Sequence, residues 1–314
     1  MKPLRLLVAV LLLLTASACA SKDDAPPAVE KITVATRSAP TITLDDPGQE
    51  PRAPLRLRPA AGTRETLELA IGMTMGMRSD GQDLPAIPVP TTRTRLSSQV
   101  QQAGPDGITV KHAVEDMSVE ATSAVPQAVV DQVRATIEPL RKYQAVTRMD
   151  PRGIVLGGDA LIPRDMPVTT RQTMQQLTES MGQLTAPLPR EAVGIGARWT
   201  AVSDITQNGM KLRQTVHYTL VARAEDQATL ELTLEQVLLD SKVDVPGTLG
   251  SSARVGRFDS AGRGTVELDL RHVSPTSVQM TIELSMAMDI SAMGQEQRME
   301  MDMNLDMSIS RLGQ

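Results

Sequence analysis

Apolar residues recur at every second position over most of this chain, and that period predicts strands. Leu67, Leu69, Ile71, Met73, Met75 and Met77 alternate with Glu68, Ala70, Gly72, Thr74 and Gly76, the pattern of a half-buried strand. Thr92 to Val100 and Ile108 to Val119 follow as a hairpin, joined through the turn sequence Ala103-Gly104-Pro105-Asp106-Gly107. From Arg198 onward nearly everything reads as strand: Leu212, Val216, Tyr218 and Leu220, then Leu230, Leu232 and Leu234, then Val266, Leu268 and Leu270. The cleanest alternation comes last. Val278, Met280, Ile282, Leu284, Met286, Met288 and Ile290 take even positions, while Met299, Met301, Met303, Leu305, Met307 and Ile309 take odd ones. With Ser291 to Glu296 as a turn, this predicts a long antiparallel hairpin with one oily face.

Two stretches change period. Val129, Val133, Ile137 and Leu140 predict a helix over Pro126 to Glu138, and Met174, Leu177, Met181 and Leu184 predict another over Thr169 to Leu184. Each has one apolar face, which must lie on something. The expected class is therefore α+β: a strongly curved, half-barrel-like antiparallel β-sheet carrying two amphipathic helices on its concave apolar face. An internal duplication is also expected, because Val146 to Gly153 and Val255 to Gly262 share V-x-R-apolar-D-x-x-G, with Asp106 to Val110 echoed by Asp226 to Leu230. Each copy would be a hairpin whose Asp opens the turn.

The amino terminus decides the address. Lys2 and Arg5 precede the unbroken apolar run Leu6 to Leu14, and Thr15-Ala16-Ser17-Ala18 supplies small residues before Cys19, the sole cysteine. Residues 1–18 are read as a signal peptide. This resembles the signal and lipobox of bacterial lipoproteins, which implies a Cys19 lipidated on its thiol and its new amino group and an N-terminal lipid anchor in the membrane. Ala16 stands where that pattern usually has Leu, and Ala16-Ser17-Ala18 equally fits ordinary signal peptidase, which would release a soluble periplasmic protein. For the anchored form, Ala20 after the cysteine is compatible with sorting to the outer membrane, periplasmic face. Residues 19–54, with Pro26, Pro27, Pro40, Pro47, Pro51 and Pro54, read as lipidated terminus and disordered tether, and residues 55–314 as the β-rich folded domain.

Composition excludes some functions. The net charge of −5 becomes more negative once Lys2 and Arg5 leave, so nucleic acid is not a partner by charge. The only aromatic residues are Trp199, Tyr143, Tyr218 and Phe258, which removes most stacking platforms. With one cysteine there is no internal disulfide, and packing must stabilise the fold.

Asp302-x-Asn304-x-Asp306 opens like a calcium loop, but Met307 stands where the turn needs Gly and Gly313 where a bidentate Glu is needed. His112, His217 and His272 fall on three separate predicted strands without the spacing of a zinc site. The runs Met73/Met75/Met77 and Met299/Met301/Met303 suit soft Cu(I), yet the alternation continues into Leu305 and Ile309, which bind no metal, so an apolar stripe is the reading. There is no G-x-S-x-G and no H-E-x-x-H, and Gly194-x-Gly196 lacks the strand-then-helix setting of a phosphate loop. The segment Leu188-Pro189, Val193, Gly196, Trp199 resembles an "LP…V-x-x-G-x-x-W" element of uncharacterised bacterial lipoprotein families, which implies fold kinship and no known activity. The overall pattern resembles the periplasmic lipoprotein-carrier architecture, by pattern alone and without a shared motif.

The expectation is a membrane-anchored, periplasm-facing, non-enzymatic lipoprotein without a cofactor. Its Met-rich groove, formed by Met280, Met286, Met288, Met299, Met301, Met303 and Met307, would accept a lipid or other apolar ligand. The alternative is a structural or assembly lipoprotein of the envelope whose oily face is filled by its own chain. A transmembrane barrel is disfavoured by the missing aromatic girdles.

Overall fold

The computed structural model describes residues 29–34, 39–85, 88–121, 125–163, 185–207, 210–244, 252–292 and 295–313. In chain order its strands are β1 (Val29–Val34), β2 (Thr41–Asp46), β3 (Ala53–Pro54), β4 (Arg64–Ser79), β5 (Gln82–Asp83), β6 (Thr92–Gly104) and β7 (Gly107–Val119). After α1 (Gln127–Ile137) and a 3-10 turn (Glu138–Lys142) come β8 (Gln144–Met149), β9 (Val155–Pro163), β10 (Ala192–Val193), β11 (Arg198–Gln207) and β12 (Met210–Ala224). The chain finishes with β13 (Gln227–Leu238), β14 (Lys242–Asp244), β15 (Ser252–Asp269), β16 (Ser277–Ala292) and β17 (Gln295–Leu312).

One antiparallel sheet takes almost all of these, in the order β1-β9-β8-β7-β6-β4-β17-β16-β15-β13-β12-β11-β2. Both of its edges come from one short stretch. β1 pairs β9 through Val34↔Gly158, and β2 pairs β11 through Thr41↔Val202. Seven residues cannot span more than about 25 Å, whereas a flat sheet of that many strands would be roughly 60 Å wide at about 4.8 Å per strand. The sheet is therefore rolled until its edges approach, although the edges are not hydrogen-bonded to each other. These strands also correct the tether: β1 and β2 lie inside residues 19–54 and belong to the sheet, so ordered structure begins well before Leu55.

The α+β expectation is overturned. Among the described residues α1 is the single α-helix; it links β7 to β8, packs against β7, and buries only Val130. It sits away from the methionine strands. Thr169 to Leu184, where a second helix was expected, lies outside the described residues. Strand propensity and tight turns dominate, and the protein is β-rich.

What fills the roll is the apolar face of the strands, joined at one end by loop residues. Leu55, Leu57, Leu188 and Val193 share one core with Leu67, Leu96, Val110, Trp199, Tyr218, Leu220, Leu230 and Ile309. The loop backbone crosses that end through Leu57 N to Pro151 O, Arg58 N to Leu270 O and Leu188 N to Arg152 O. Trp199 stacks on Tyr218 with ring centroids 5.4 Å apart and donates Nε1–H to Pro187 O at 2.9 Å. Gly194 presses on the 47–49 loop so closely that a Cβ there would meet Gln49 O at 1.7 Å. The Gly194-x-Gly196 pair thus serves loop packing.

The opposite face of the strands is charged. Arg78 meets Glu300 and Asp302, Arg257 meets Asp259, Arg213 meets Asp204, and Arg93 meets Glu68 and Glu120. Because the apolar face is turned inward on Leu55 and Leu188, this charged face is the outside of the roll. A bilayer-spanning barrel requires the reverse, since an Arg facing lipid at mid-bilayer costs about 2–4 kcal/mol.

The expected duplication holds only in part. Asp150 does open a turn, accepting from Arg152 N and Ile154 N at 2.9 and 3.0 Å, with Gly153 at a φ of 76°. Asp259 lies instead in the middle of β15, opposite Ser285, so the second copy makes no turn. There β15 runs for 18 residues, and its pairing with β16 continues through Asp259 and overrides the local turn signal.

Candidate functional site

The methionines are brought together by register. β16 and β17 place Met280 opposite Met307, Leu284 opposite Met303, Met286 opposite Met301, and Met288 opposite Met299. β4 then continues the rows, with Met77, Met75 and Met73 opposite Met301, Met303 and Leu305. All face the interior. Their burial is graded along the strands: Ile309 is 2% exposed, whereas Met299, Met301, Met303 and Met307 are half-buried, as are Met73, Met75 and Met77. On β4 and β17 the packing loosens from the Ile309 end toward the methionine end, whereas Met286 and Val255 on the neighbouring strands stay buried.

Of the seven methionines expected to line a groove, Met280 and Met307 pack against the core and Met286 is itself buried at 6% exposure. Met288 and Met299 lie further toward the open end. Met303 lines an open cleft of about 920 Å³, together with Met75, Leu284, Phe258, Gln236 and Ser260. Sequence reasoning missed Met75, Phe258, Gln236 and Ser260 as cleft residues. Met75 stood in an alternating run, but only the pairing of β4 with β17 puts it beside Met303.

One interior row is half polar. Gln214, Gln236, Ser260, Leu284, Met303 and Met75 lie opposite one another in succession across six strands. Ser260 Oγ donates to Gln236 Oε1 at 2.8 Å, and Gln236 Nε2 donates to Gln214 Oε1 at 3.0 Å. The acidic residues at the cleft, Glu235, Asp259, Glu283 and Asp302, belong to the alternate positions on the outer face, where they are exposed.

The histidines do not converge. His112 is buried on β7, with Nδ1 2.9 Å from Ser98 Oγ and Nε2 2.8 Å from Thr147 Oγ1. Burial without a carboxylate partner lowers its pKa to about 4. His217 is exposed on β12, its Nδ1 2.9 Å from Thr200 Oγ1. His272 lies in the β15–β16 connection, off the strand on which the sequence placed it, 3.2 Å from Glu65 Oε1. Glu65 also accepts from Val273 N and Ser274 N at 3.0 and 3.1 Å, clamping that connection to the start of β4. Nearby, Arg271 donates to both oxygens of Asp269 and holds its carboxyl down to about 2. No group of metal-ligating side chains occurs among the described residues. Asp302 and Asp306 accept from Ser285 and Thr281 on the outer face, as partners of hydroxyls. Cys19 lies outside the described residues.

No family model matches the chain, and no curated protein matches it. Among solved structures, the crystal structure of Pseudomonas aeruginosa OpdL matches at 7% identity and a TM-score of 0.19, covering 79% of this chain and 98% of that one. Pseudomonas aeruginosa OpdK with vanillate matches at 8% identity and a TM-score of 0.16, with the same coverages of 79% and 98%. Likenesses this weak carry no argument about the fold or the ligand of this chain.

Proposed function

We propose that this protein is a cell-envelope lipoprotein, anchored through Cys19 to the periplasmic face of the outer membrane, that holds an apolar chain in its methionine-lined cleft. One observation carries the ligand reading: Met75, Leu284, Met303 and Phe258 stay half-buried around an open cleft of about 920 Å³. That volume suits a single small apolar ligand. Thioether side chains adapt to varied shapes at low cost, which favours acyl chains of differing length over one rigid molecule. A second reading, a structural envelope lipoprotein, is favoured by the burial of Met286 and by the packing of Met280 and Met307 against the core.

The readings part on one experiment. The purified protein should take up a fluorescent alkyl probe and release lipid on solvent extraction; a protein that does neither uses its methionines only as core. The anchor is tested separately. Cys19→Ser should move the protein from the membrane to the soluble fraction, and a wild type already soluble with a free thiol would remove the anchor.

A further inference from the structure

The half-polar interior row interrupts the apolar face of β12, β13 and β15. On one side Gln236 and Gln214 are followed by Leu234 and Val216, and on the other by Leu238 and Leu212. Polar groups inside an apolar face are costly unless hydrogen-bonded, and this trio is only partly satisfied by its own members. An amide such as Gln236 has two N–H donors, and the bonds described use one; Gln214 acts in them only as an acceptor. Among the described residues, spare donors therefore remain beside the cleft that Gln236 and Ser260 line.

The charges around this row narrow the ligand further. Its inward polar groups are uncharged, while the cations of the region are engaged on the outer face, Arg78 with Asp302 and Arg257 with Asp259. An ionised head group entering the cleft would lose water and meet no counter-charge. A hydroxyl or ester would meet donors and acceptors of matching strength.

Resting on the apolar-chain reading above, we infer that the cleft is bipartite and selects a neutral amphiphile: Met75, Leu284, Met303 and Phe258 hold the acyl chain, and Gln236 with Ser260 hydrogen-bond an uncharged hydroxyl or ester head. The ligand class is thus acylglycerol-like, and free fatty acids at neutral pH are poor ligands.

The test titrates the purified protein at pH 8 with three pyrene-labelled probes of equal chain length: a monoacylglycerol, the fatty acid and the alkane. Wild type should bind the monoacylglycerol about tenfold more tightly than either of the others, the gain expected of one or two neutral hydrogen bonds. Gln236→Leu combined with Ser260→Ala replaces the polar pair by apolar groups; it should keep alkane binding and abolish the preference. Circular dichroism confirms that the variant is folded, and Gln236→Asn alone should restore part of the preference. Equal binding of all three probes, tightest binding of the fatty acid, or a preference that survives in the folded double variant would overturn the head-group site while leaving the apolar cleft standing. Binding of none of them would overturn the cleft itself and the head-group site with it.

Discussion

Acidification should destabilise this protein through His112. The imidazole is buried between Ser98 and Thr147, with both ring nitrogens within hydrogen-bond distance of a hydroxyl and no carboxylate to offset a positive charge. Its folded pKa lies at about 4, against 6.5 for a free side chain. Below pH 6.5 the unfolded chain takes up a proton that the folded protein refuses, so unfolding is favoured by falling pH. The contribution is fully present above pH 6.5, is lost progressively as the pH falls toward 4, and amounts to about 3 kcal/mol over that window at about 1.4 kcal/mol per unit. Urea denaturation of wild type and of His112→Gln at pH 7.5, 6.5, 5.5 and 4.5 isolates it. The glutamine retains a donor and an acceptor without titrating, so the variant should be less stable than wild type at pH 7.5, with the gap closing by about 2.5 kcal/mol at pH 4.5. Parallel pH profiles for the two proteins would refute the reasoning. Asp269 does not confuse the window: its carboxyl, lowered to about 2, contributes stability that is lost only as the pH falls below its ordinary 3.8.

Other expectations follow from burial and pairing. Met286→Glu should unfold the protein, because a charge at a 6% exposed position costs several kcal/mol, whereas Met303→Glu at the cleft should stay folded and lose alkyl-probe uptake; thermal melts and titration separate the two. Glu65→Gln weakens the clamp on Val273 and Ser274 and should cost about 1–3 kcal/mol, read by calorimetry, with an unchanged melting temperature refuting the clamp. Trp199 is the only tryptophan and is fully buried, so its emission should be blue-shifted when folded, and Trp199→Phe should cost about 2 kcal/mol by stranding Pro187 O. Deleting residues 29–46 uncovers both β9 and β11 as bare sheet edges and should yield oligomers in sedimentation; a monomeric deletion product would count against their role in capping the sheet.

Much of the strand content was legible from the period-two pattern alone, because a side chain on a strand alternates faces whatever its neighbours are. The hairpins β6–β7 and β16–β17 could be read for the same reason, with glycine-containing turns between alternating runs. Local rules failed where long-range pairing competes with them. Val29–Val34 and Thr41–Asp46 sit in a proline-rich stretch with tether composition, yet they find open edges on β9 and β11, which no local signal announces. Asp259 carries a turn signal that the pairing of β15 with β16 overrides.

The sequence by itself determined that this chain is mostly alternating strand and that one face is rich in methionine. Periodicity and composition are properties of neighbouring residues, and they survive without a fold. Only the tertiary structure decided which methionines meet. Register joins Met75 to Met303 across more than two hundred residues, and the rolling of the sheet turns that face inward. It also decided that Gln236 and Ser260 stand beside them, because their place in the row depends on a pairing between β13 and β15 that no stretch of sequence contains.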